Sequence, residues 1–399
     1  MATFSVSFLG CKVSHADVHA VRERLLADGH EERAASADVA VVSTCCVTHE
    51  AVAKSRKAVA RLARTHDRVY VTGCAANLPD NAFAGVRGDV VVVDRPSEET
   101  PAMVAGDVGA IACVQADARL DRVRAFVKVQ DVCSFSCAFC VIPQVRGASR
   151  SRRAEAVLGE VARRAAQGHR EIVLTGINLG CYRDREAGYE LPRLVREAGA
   201  TTGVARLRLS SIEVNHLSEE LMAALRETEA VGRHLHVPLQ SGDDRVLRAM
   251  GRRYDAATFL RRVRLAEGFN LTTDVIVGFP VEDERAFEST LRVVGAAGIT
   301  KAHVFPYSPR PGTRTAALDS VSVAEKKSRS ARLRELSREA EQARWRAKVG
   351  TEDVVLIDRP GRGYGDDYCP WLVDAPVGEL VRARGTAVTE EGITGGRCP

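Results

Sequence analysis

Cys133, Cys137 and Cys140 lie within eight residues of one another, directly after an apolar β-rich run. A structural zinc site needs a fourth ligand nearby, usually from a second CxxC or a histidine pair, and none follows at a suitable spacing. Three thiolates instead fit a [4Fe–4S] cluster with one open iron. Such an iron can bind the amino and carboxylate groups of S-adenosylmethionine, and an electron from the cluster can then cleave the sulfonium. The alternatives are a three-ligand zinc site and a chance spacing.

Three more cysteines are distant in sequence, but each follows a predicted strand. They are Cys11, Cys45 and Cys74. Because the carboxyl ends of parallel strands meet at one edge of a sheet, we expect these thiols to converge on a second metal centre. The alternative is that they are buried free cysteines, which are common in cores. Cys46 adjoins Cys45 and points to the other side of a strand, so we interpret it as a bystander.

The chain has 399 residues and 11 cysteines, and its N-terminus shows no basic-then-apolar export signal. In a reducing compartment the cysteines are not expected to form disulfides, so we predict a cytoplasmic protein. No stretch reaches the ~18 apolar residues of a membrane helix, so we predict no membrane association. The remaining cysteines are interpreted as core or surface thiols: Cys113, Cys181, Cys369 and Cys398.

The elements that must position the thiols alternate between strand and helix, which predicts an α/β fold. The first region, with a parallel sheet, has strands at 3–9, 39–43, 68–72 and 90–93, helices at 15–28 and 49–66, and a helix and linker over 94–120. The second has strands at 123–130, 170–176, 205–211, 234–239, 271–278 and 301–306, and helices near 154–167, 190–199, 217–228, 243–267 and 283–297. Six such repeats predict a partial (β/α) barrel, with its chemistry at the carboxyl ends of the strands.

The C-terminal region begins with a basic helix, predicted over 323–348, and continues as short β-runs over 349–397 that suggest a small β-barrel. Residues 325–348 carry nine Lys or Arg against four Glu, which equals the net charge of +5 of the whole chain. This run is either a solvated helix face or a surface for nucleic acid.

These residues resemble the methylthiotransferases of the radical S-adenosylmethionine class, and within them the enzymes acting on N6-threonylcarbamoyladenosine in tRNA. The narrower assignment rests on the Lys12-Val13 pair and on two of the matching blocks, His234–Gly242 and Val304–Thr313. The blocks are Leu9–Val13, Thr44–Thr48, Lys54–Arg56, Thr72–Cys74, Lys128–Cys133, Arg146–Gly147, Ser149–Arg152, Leu174–Gly180, His234–Gly242, Asp274–Pro280 and Val304–Thr313.

The resemblance implies three domains: a methylthiotransferase N-terminal domain over 1–115, a radical core over 119–320, and a basic helix with a TRAM-type RNA-binding barrel over 321–399. It implies two [4Fe–4S] clusters and S-adenosylmethionine as cofactors. The radical-cluster ligands are then Cys133, Cys137 and Cys140, and the auxiliary-cluster ligands are Cys11, Cys45 and Cys74.

The implied reaction places a methylthio group at C2 of the adenine, after a 5′-deoxyadenosyl radical has activated a C–H bond of the base. Its implied partners are the tRNA anticodon loop, an electron donor such as flavodoxin or ferredoxin, and a sulfur source. Alternative targets are isopentenyladenosine in tRNA and a ribosomal protein. An alternative of another class is a non-catalytic iron–sulfur protein that binds RNA.

Two further groups of residues are candidates for contacts, with packing or surface roles as the alternative. The candidate cofactor contacts are Gly176, Gly180, Glu213 and Gln240. The candidate RNA contacts are the basic helix, Arg146, Arg150, Arg152, Arg153, Tyr364 and Tyr368. The chain departs from the family pattern at Ser14, His15, Ser43 and Val281, none of which is a proposed ligand.

Overall fold

The computed structural model describes residues 1–34, 36–94, 97–109 and 123–398. The chain divides into two compact units. Unit 1 consists of residues 1–119, 131–150 and 308–317, and unit 2 of residues 120–130, 151–307 and 318–399. The division into three domains at 1–115, 119–320 and 321–399 stays a prediction.

Unit 1 contains a five-stranded parallel sheet with the order β2-β1-β3-β4-β5. The expected parallel sheet is therefore confirmed, and its register pairs Phe8 with Ser43 and Thr44 with Gly73. The carboxyl ends of β1, β3 and β4 consequently lie side by side. The strands are β1 Thr3–Phe8, β2 Glu31–Glu32, β3 Val39–Thr44, β4 Arg68–Gly73 and β5 Asp89–Val92.

The sheet of unit 1 is covered on both faces, because alternate strand residues point to opposite sides. Val41 and Tyr70 belong to one buried cluster, and Val42 and Val71 belong to another. The linker predicted to run to residue 120 lies outside the described residues from 110 onward. The helices are α1 Lys12–Ala27, α2 His49–Leu62, α3 Thr100–Val108 and α4 Ile142–Arg146.

Unit 2 contains a curled sheet that confirms the partial barrel. Its two parts have the orders β11-β8-β6-β7 and β12-β13-β14, and single bridges join Leu207 to Val231 and Ser211 to His236. All six expected strands are present. The strands are β6 Arg124–Asp131, β7 Arg150–Ser151, β8 Glu171–Gly176, β9 Arg183–Asp184, β10 Tyr189–Glu190, β11 Arg206–Leu209, β12 His234–His236, β13 Asn270–Val277 and β14 Ile299–Pro306.

The helices of unit 2 follow the predicted pattern with one exception. The single helix expected over 243–267 is wrong, because Gly251 adopts a left-handed φ of 72° and ends the first helix, and Asp255 caps a new one. The helices are α5 Ala154–Ala166, α6 Leu191–Gly199, α7 Glu219–Glu227, α8 Asp244–Met250, α9 Ala256–Val263, α10 Glu284–Ala296 and α11 Val323–Arg346, with 3₁₀ turns at Leu179–Cys181, Val214–His216 and Arg264–Ala266.

The basic helix α11 begins with a capping box formed by Ser322 and Glu325. It packs against β14, and its Leu333 is fully buried in the core of the curled sheet. The expected small barrel is confirmed as a closed five-stranded barrel around the buried Trp371. No helix in the described part of the chain is long and apolar enough to cross a membrane. The barrel strands are β15 Glu352–Arg359, β16 Arg362–Tyr364, β17 Pro370–Leu372, β18 Leu380–Val388 and β19 Ile393–Arg397.

Candidate metal centre

The loop with Cys133, Cys137 and Cys140 directly follows β6, and its residues belong to unit 1. None of the three cysteines forms a disulfide, and all three are partly exposed. The loop is held by its own backbone, since the Cys140 amide donates to the Cys137 carbonyl at 3.2 Å. The Phe135 amide donates to Sγ of Cys133 at 3.4 Å. Backbone amides of this kind are typical partners of cluster sulfurs, so the loop presents three accessible soft ligands.

Cys11, Cys45 and Cys74 follow β1, β3 and β4, the three neighbouring strands of the sheet. The Cys11 thiol is exposed, that of Cys45 is half-buried, and that of Cys74 is buried. Burial, together with the neighbouring Cys74 and Cys11 thiols, raises the pKa of Cys45 to about 11. The three groups therefore lie within electrostatic range of one another, in the arrangement that the parallel topology predicted.

Cys46 lies in the buried region around Cys74. It is fully buried and belongs to the same apolar cluster as Cys74. The neighbouring Cys46 thiol, and then the Arg146 cation, outweigh burial and hold the pKa of Cys74 below its ordinary value. The interpretation of Cys46 as a bystander to metal binding stays a prediction.

Arg146 is the second group that contacts Cys74. Its Nε donates to Sγ of Cys74 at 3.2 Å. Its two other nitrogens donate to the carboxylates of Asp131 and Asp17, each at 2.8 Å. Only 5% of the Arg146 side chain is exposed, so the expectation that it contacts RNA phosphates is wrong. The sequence offered only a weak signal for this network, an aspartate two residues before Cys133.

The chemistry of the two thiol sets fits iron–sulfur ligation. Burial, and less strongly the neighbouring thiols, raise the pKa of Cys45, and a bound cationic centre would lower it again. In the described part of the chain, no group of three or more Cys, His, Asp or Glu side chains is already arranged around a metal position.

The two candidate cofactor glycines lie in unit 2, at the end of β8 and in the turn after it. A Cβ on Gly176 would lie 3.1 Å from the Gln130 side chain, and a Cβ on Gly180 would lie 2.3 Å from the His216 ring. Their small size is required by packing within unit 2. Their contact with a cofactor stays a prediction.

Glu213 and Gln240 also follow strands of the curled sheet. Glu213 is 8% exposed, and its carboxylate accepts from Arg252 at 3.1 Å. Gln240 has a left-handed φ of 68°, and its backbone amide donates to the backbone carbonyl of Asp274 at 2.8 Å. This strained backbone turns the chain at the strand end. Both cofactor roles stay predictions.

The sequence reasoning missed a polar cluster on β12 and β13. Nε2 of His236 lies 3.2 Å from Oδ2 of Asp274, and Nδ1 of His236 lies 3.0 Å from the Thr272 hydroxyl. Both His236 and Asp274 fall within motif blocks that had been singled out for other residues. The alternation of β-strand side chains was the signal that would have placed them on one face.

The other candidate RNA contacts are largely bonded within the protein. Arg150 pairs with Glu98 at 2.7 Å, Arg152 pairs with Glu160, and Arg153 pairs with Glu186. The Tyr364 and Tyr368 rings stack with centroids 4.7 Å apart, and Tyr368 also stacks on His234. These contacts favour the packing alternative for both tyrosines.

Most basic side chains of residues 325–348 are likewise bonded to other groups of the protein. Arg329 pairs with the buried Glu282 at 3.0 Å, and Arg344 pairs with Asp367 at 2.6 Å. Lys327 and Arg346 are exposed. Seven of the nine basic side chains bond to protein groups: Lys326, Arg329, Arg332, Arg334, Arg338, Arg344 and Lys348.

Comparison with known families agrees with this arrangement. The Radical SAM superfamily profile matches residues 127–294, and that of the uncharacterized protein family UPF0004 matches residues 3–93. The Cys133 loop follows a strand in the first match, and the other three proposed ligands lie in the second. The curled sheet and its cysteine loop thus define a radical S-adenosylmethionine enzyme.

Curated relatives narrow the class. The chain is 36% identical to the threonylcarbamoyladenosine tRNA methylthiotransferase MtaB of Bacillus subtilis, over 80% of this chain and 76% of that protein. It is 32% identical to the MtaB of Chlamydia pneumoniae, over 98% and 97%. It is also 32% identical to the tRNA-2-methylthio-N(6)-dimethylallyladenosine synthase of Paracoccus denitrificans, over 97% and 95%. The chain belongs to the radical SAM methylthiotransferase family.

One solved structure is similar to this chain in its fold only. The radical S-adenosylmethionine methyltransferase TsrM from Kitasatospora setae superposes with a TM-score of 0.57 at 16% identity. The match covers 79% of this chain and 77% of that one.

Proposed function

We propose that this enzyme methylthiolates C2 of N6-threonylcarbamoyladenosine beside the anticodon of tRNA. The observation that carries the proposal is the presence of two sets of three cysteines without disulfides, each set following strands of a parallel sheet, in a chain of this family. The choice of modified base is supported by the two MtaB relatives, which match at 36% and 32% identity.

Each cysteine set has a separate task in this proposal. Cys133, Cys137 and Cys140 would hold a [4Fe–4S] cluster, which would supply the electron for cleaving S-adenosylmethionine. Cys11, Cys45 and Cys74 would hold a second cluster, with which the transferred sulfur would be associated. An electron donor such as flavodoxin or ferredoxin and a sulfur source are required as partners.

Other residues would bind and orient the substrates. The proposed contacts of S-adenosylmethionine in unit 2 are Gly176, Gly180, Glu213 and Gln240. The adenine base is unstacked from a single-stranded loop, as sequence-specific RNA binding usually requires. Exclusion of water around the base protects the radical from side reactions.

Nucleoside analysis tests the proposal. Total tRNA from strains with and without the gene is digested and measured by mass spectrometry. We expect the 2-methylthio derivative of N6-threonylcarbamoyladenosine to disappear on deletion and to return with the wild-type gene but not with a Cys133→Ala copy. Loss of the methylthio group from isopentenyladenosine instead would support the family of the Paracoccus denitrificans relative. Unchanged tRNA would exclude both targets and direct the search to a ribosomal protein.

A further inference from the structure

One buried guanidinium connects three segments of unit 1. Nε of Arg146 donates to Sγ of Cys74 at 3.2 Å, and Nη1 donates to both oxygens of Asp131 at 2.8 and 3.0 Å. Nη2 donates to Oδ2 of Asp17 at 2.8 Å. All three guanidinium nitrogens are therefore engaged, and the geometry is fixed rather than averaged over rotamers.

The partners of Arg146 flank both cysteine sets in the chain. Asp131 ends β6 two residues before Cys133, and Asp17 lies on α1, the helix that Cys11 precedes. Asp131 is itself held by the Ser97 hydroxyl at 2.9 Å. The two carboxylates balance the cation, which is required because an uncompensated buried charge is costly.

A charged donor at a ligand sulfur changes what the bound metal does. A hydrogen bond to a thiolate withdraws electron density from the sulfur and stabilises the more negative, reduced state of a cluster. Charge-assisted bonds are about twice as strong as neutral ones, and burial strengthens them further. The Cys46 thiol packs in the same apolar cluster as Cys74, but it is uncharged.

We infer that Arg146 is a positioning residue that holds Cys74 in place and raises the reduction potential of the cluster bound through it. This inference rests on the proposed function, because it requires a cluster at Cys74. It adds a determinant of the potential that lies outside the six proposed ligands, on the residue that ends α4.

A redox titration monitored by electron paramagnetic resonance tests the inference. It uses full-length, anaerobically reconstituted protein in which Cys133, Cys137 and Cys140 are all replaced by Ala, so that one cluster is observed. In this background we expect Arg146→Gln to lower the midpoint potential by about 59 mV. This shift is a tenfold change in the equilibrium constant for one-electron reduction of the cluster. Arg146→Lys keeps the positive charge but loses the planar guanidinium with its several donors. It should therefore lower the midpoint potential less than Arg146→Gln does.

Arg24→Gln is the matched control, because Arg24 lies on α1, the helix that carries Asp17, but pairs with Asp28. Its potential should equal that of the background. An unchanged potential in Arg146→Gln would overturn the inference alone. If Arg146→Gln holds no iron, Arg146→Lys decides by the same criterion, a lowered potential supporting the inference and an equal one overturning it. A background protein without iron would overturn the proposed ligand set, and the inference with it.

Discussion

The buried Cys46 packs in the same apolar cluster as Cys74, whereas its neighbour Cys45 is half-buried just after β3. We therefore predict different roles for the two adjacent cysteines. Cys46 belongs to the buried cluster that covers one face of the unit 1 sheet. Its contribution is expected in the stability of the fold, and that of Cys45 in metal binding.

Replacing Cys46 by Ala removes a fully buried sulfur from an apolar cluster, so the free energy of unfolding should fall by about 1–2 kcal/mol. Iron content after reconstitution should be retained. Cys45→Ala is the matched control and should show the reverse pattern, with lost iron and a small change in urea unfolding. If Cys46→Ala lost iron and Cys45→Ala kept it, the assignment of the ligand between them would be reversed.

The two cysteine sets should be separable by experiment. Replacing Cys133, Cys137 and Cys140 by Ala should remove one cluster, leave the other, and abolish reductive cleavage of S-adenosylmethionine. Iron analysis and detection of 5′-deoxyadenosine measure both effects. Full iron content in this variant would show that the ligand assignment is wrong.

The complementary variant replaces Cys11, Cys45 and Cys74 by Ala. Here we expect cleavage of S-adenosylmethionine to continue while methylthiolation of tRNA stops. Loss of both activities with the radical cluster intact would contradict the division of tasks.

Glu171 is fully buried beside three arginines in unit 2. Burial opposes its ionisation, but Arg208, Arg124 and Arg206 outweigh that effect and lower its pKa to about 2. Glu171→Gln leaves these cations without their anion and should cost about 3–5 kcal/mol in urea unfolding at neutral pH. An effect as small as that of the exposed Glu186→Gln would contradict this account.

The same carboxylate predicts a pH dependence. Its folded pKa lies below the ordinary 4.5, so its stabilisation is complete above that value and is lost as the pH falls toward about 2. Wild-type stability should therefore fall between pH 5 and pH 2 more steeply than that of Glu171→Gln, as measured by urea midpoints at several pH values. Parallel curves would show that Glu171 is not the group responsible.

Tyr368 stacks on His234 and Tyr364, and the guanidinium of Arg208 lies 4.8 Å from its ring centre. Tyr368→Ala should therefore lower stability by roughly 2–4 kcal/mol and leave tRNA affinity nearly unchanged. Filter binding and thermal unfolding of the same samples measure the two effects. Weakened binding without lost stability would restore the base-stacking role.

Lys327 and Arg346 are exposed cations of α11 that are not among the seven basic side chains bonded to protein groups. If both contact phosphates, Lys327→Ala with Arg346→Ala should reduce the slope of log affinity against log salt by about 1.5. Lys327→Arg with Arg346→Lys preserves the charges and should leave the slope unchanged. Equal slopes for the alanine variant and the wild type would exclude a phosphate role for these two positions.

Deleting the chain from residue 325 onward would not test the phosphate contacts of α11 by themselves. Leu333 of α11 lies in the core of the curled sheet, and Arg329 pairs with the buried Glu282. Deleting the helix would expose β14 and leave a buried carboxylate without its partner, so lost binding would report unfolding. The point variants avoid this effect.

The sequence alone determined the order of the elements and the identity of the reactive thiols. Short β-runs followed by cysteines indicate strand ends, and parallel strands bring their carboxyl ends to one edge, so Cys11, Cys45 and Cys74 could be placed together before any coordinates. The spacing of Cys133, Cys137 and Cys140 pointed to a cluster because it requires only local geometry. Local periodicity also gave the strands of the curled sheet and the small barrel.

Only the tertiary structure decided which side chains surround those thiols. Arg146 looked like an RNA contact beside a basic stretch, but folding buries it between Asp17, Asp131 and Cys74. Such contacts join residues up to 129 positions apart, and hydrophobic periodicity carries no information about them. The charge run of α11 was equally ambiguous, because pairing with Glu282 and Asp367 depends on which strands and loops the helix packs against.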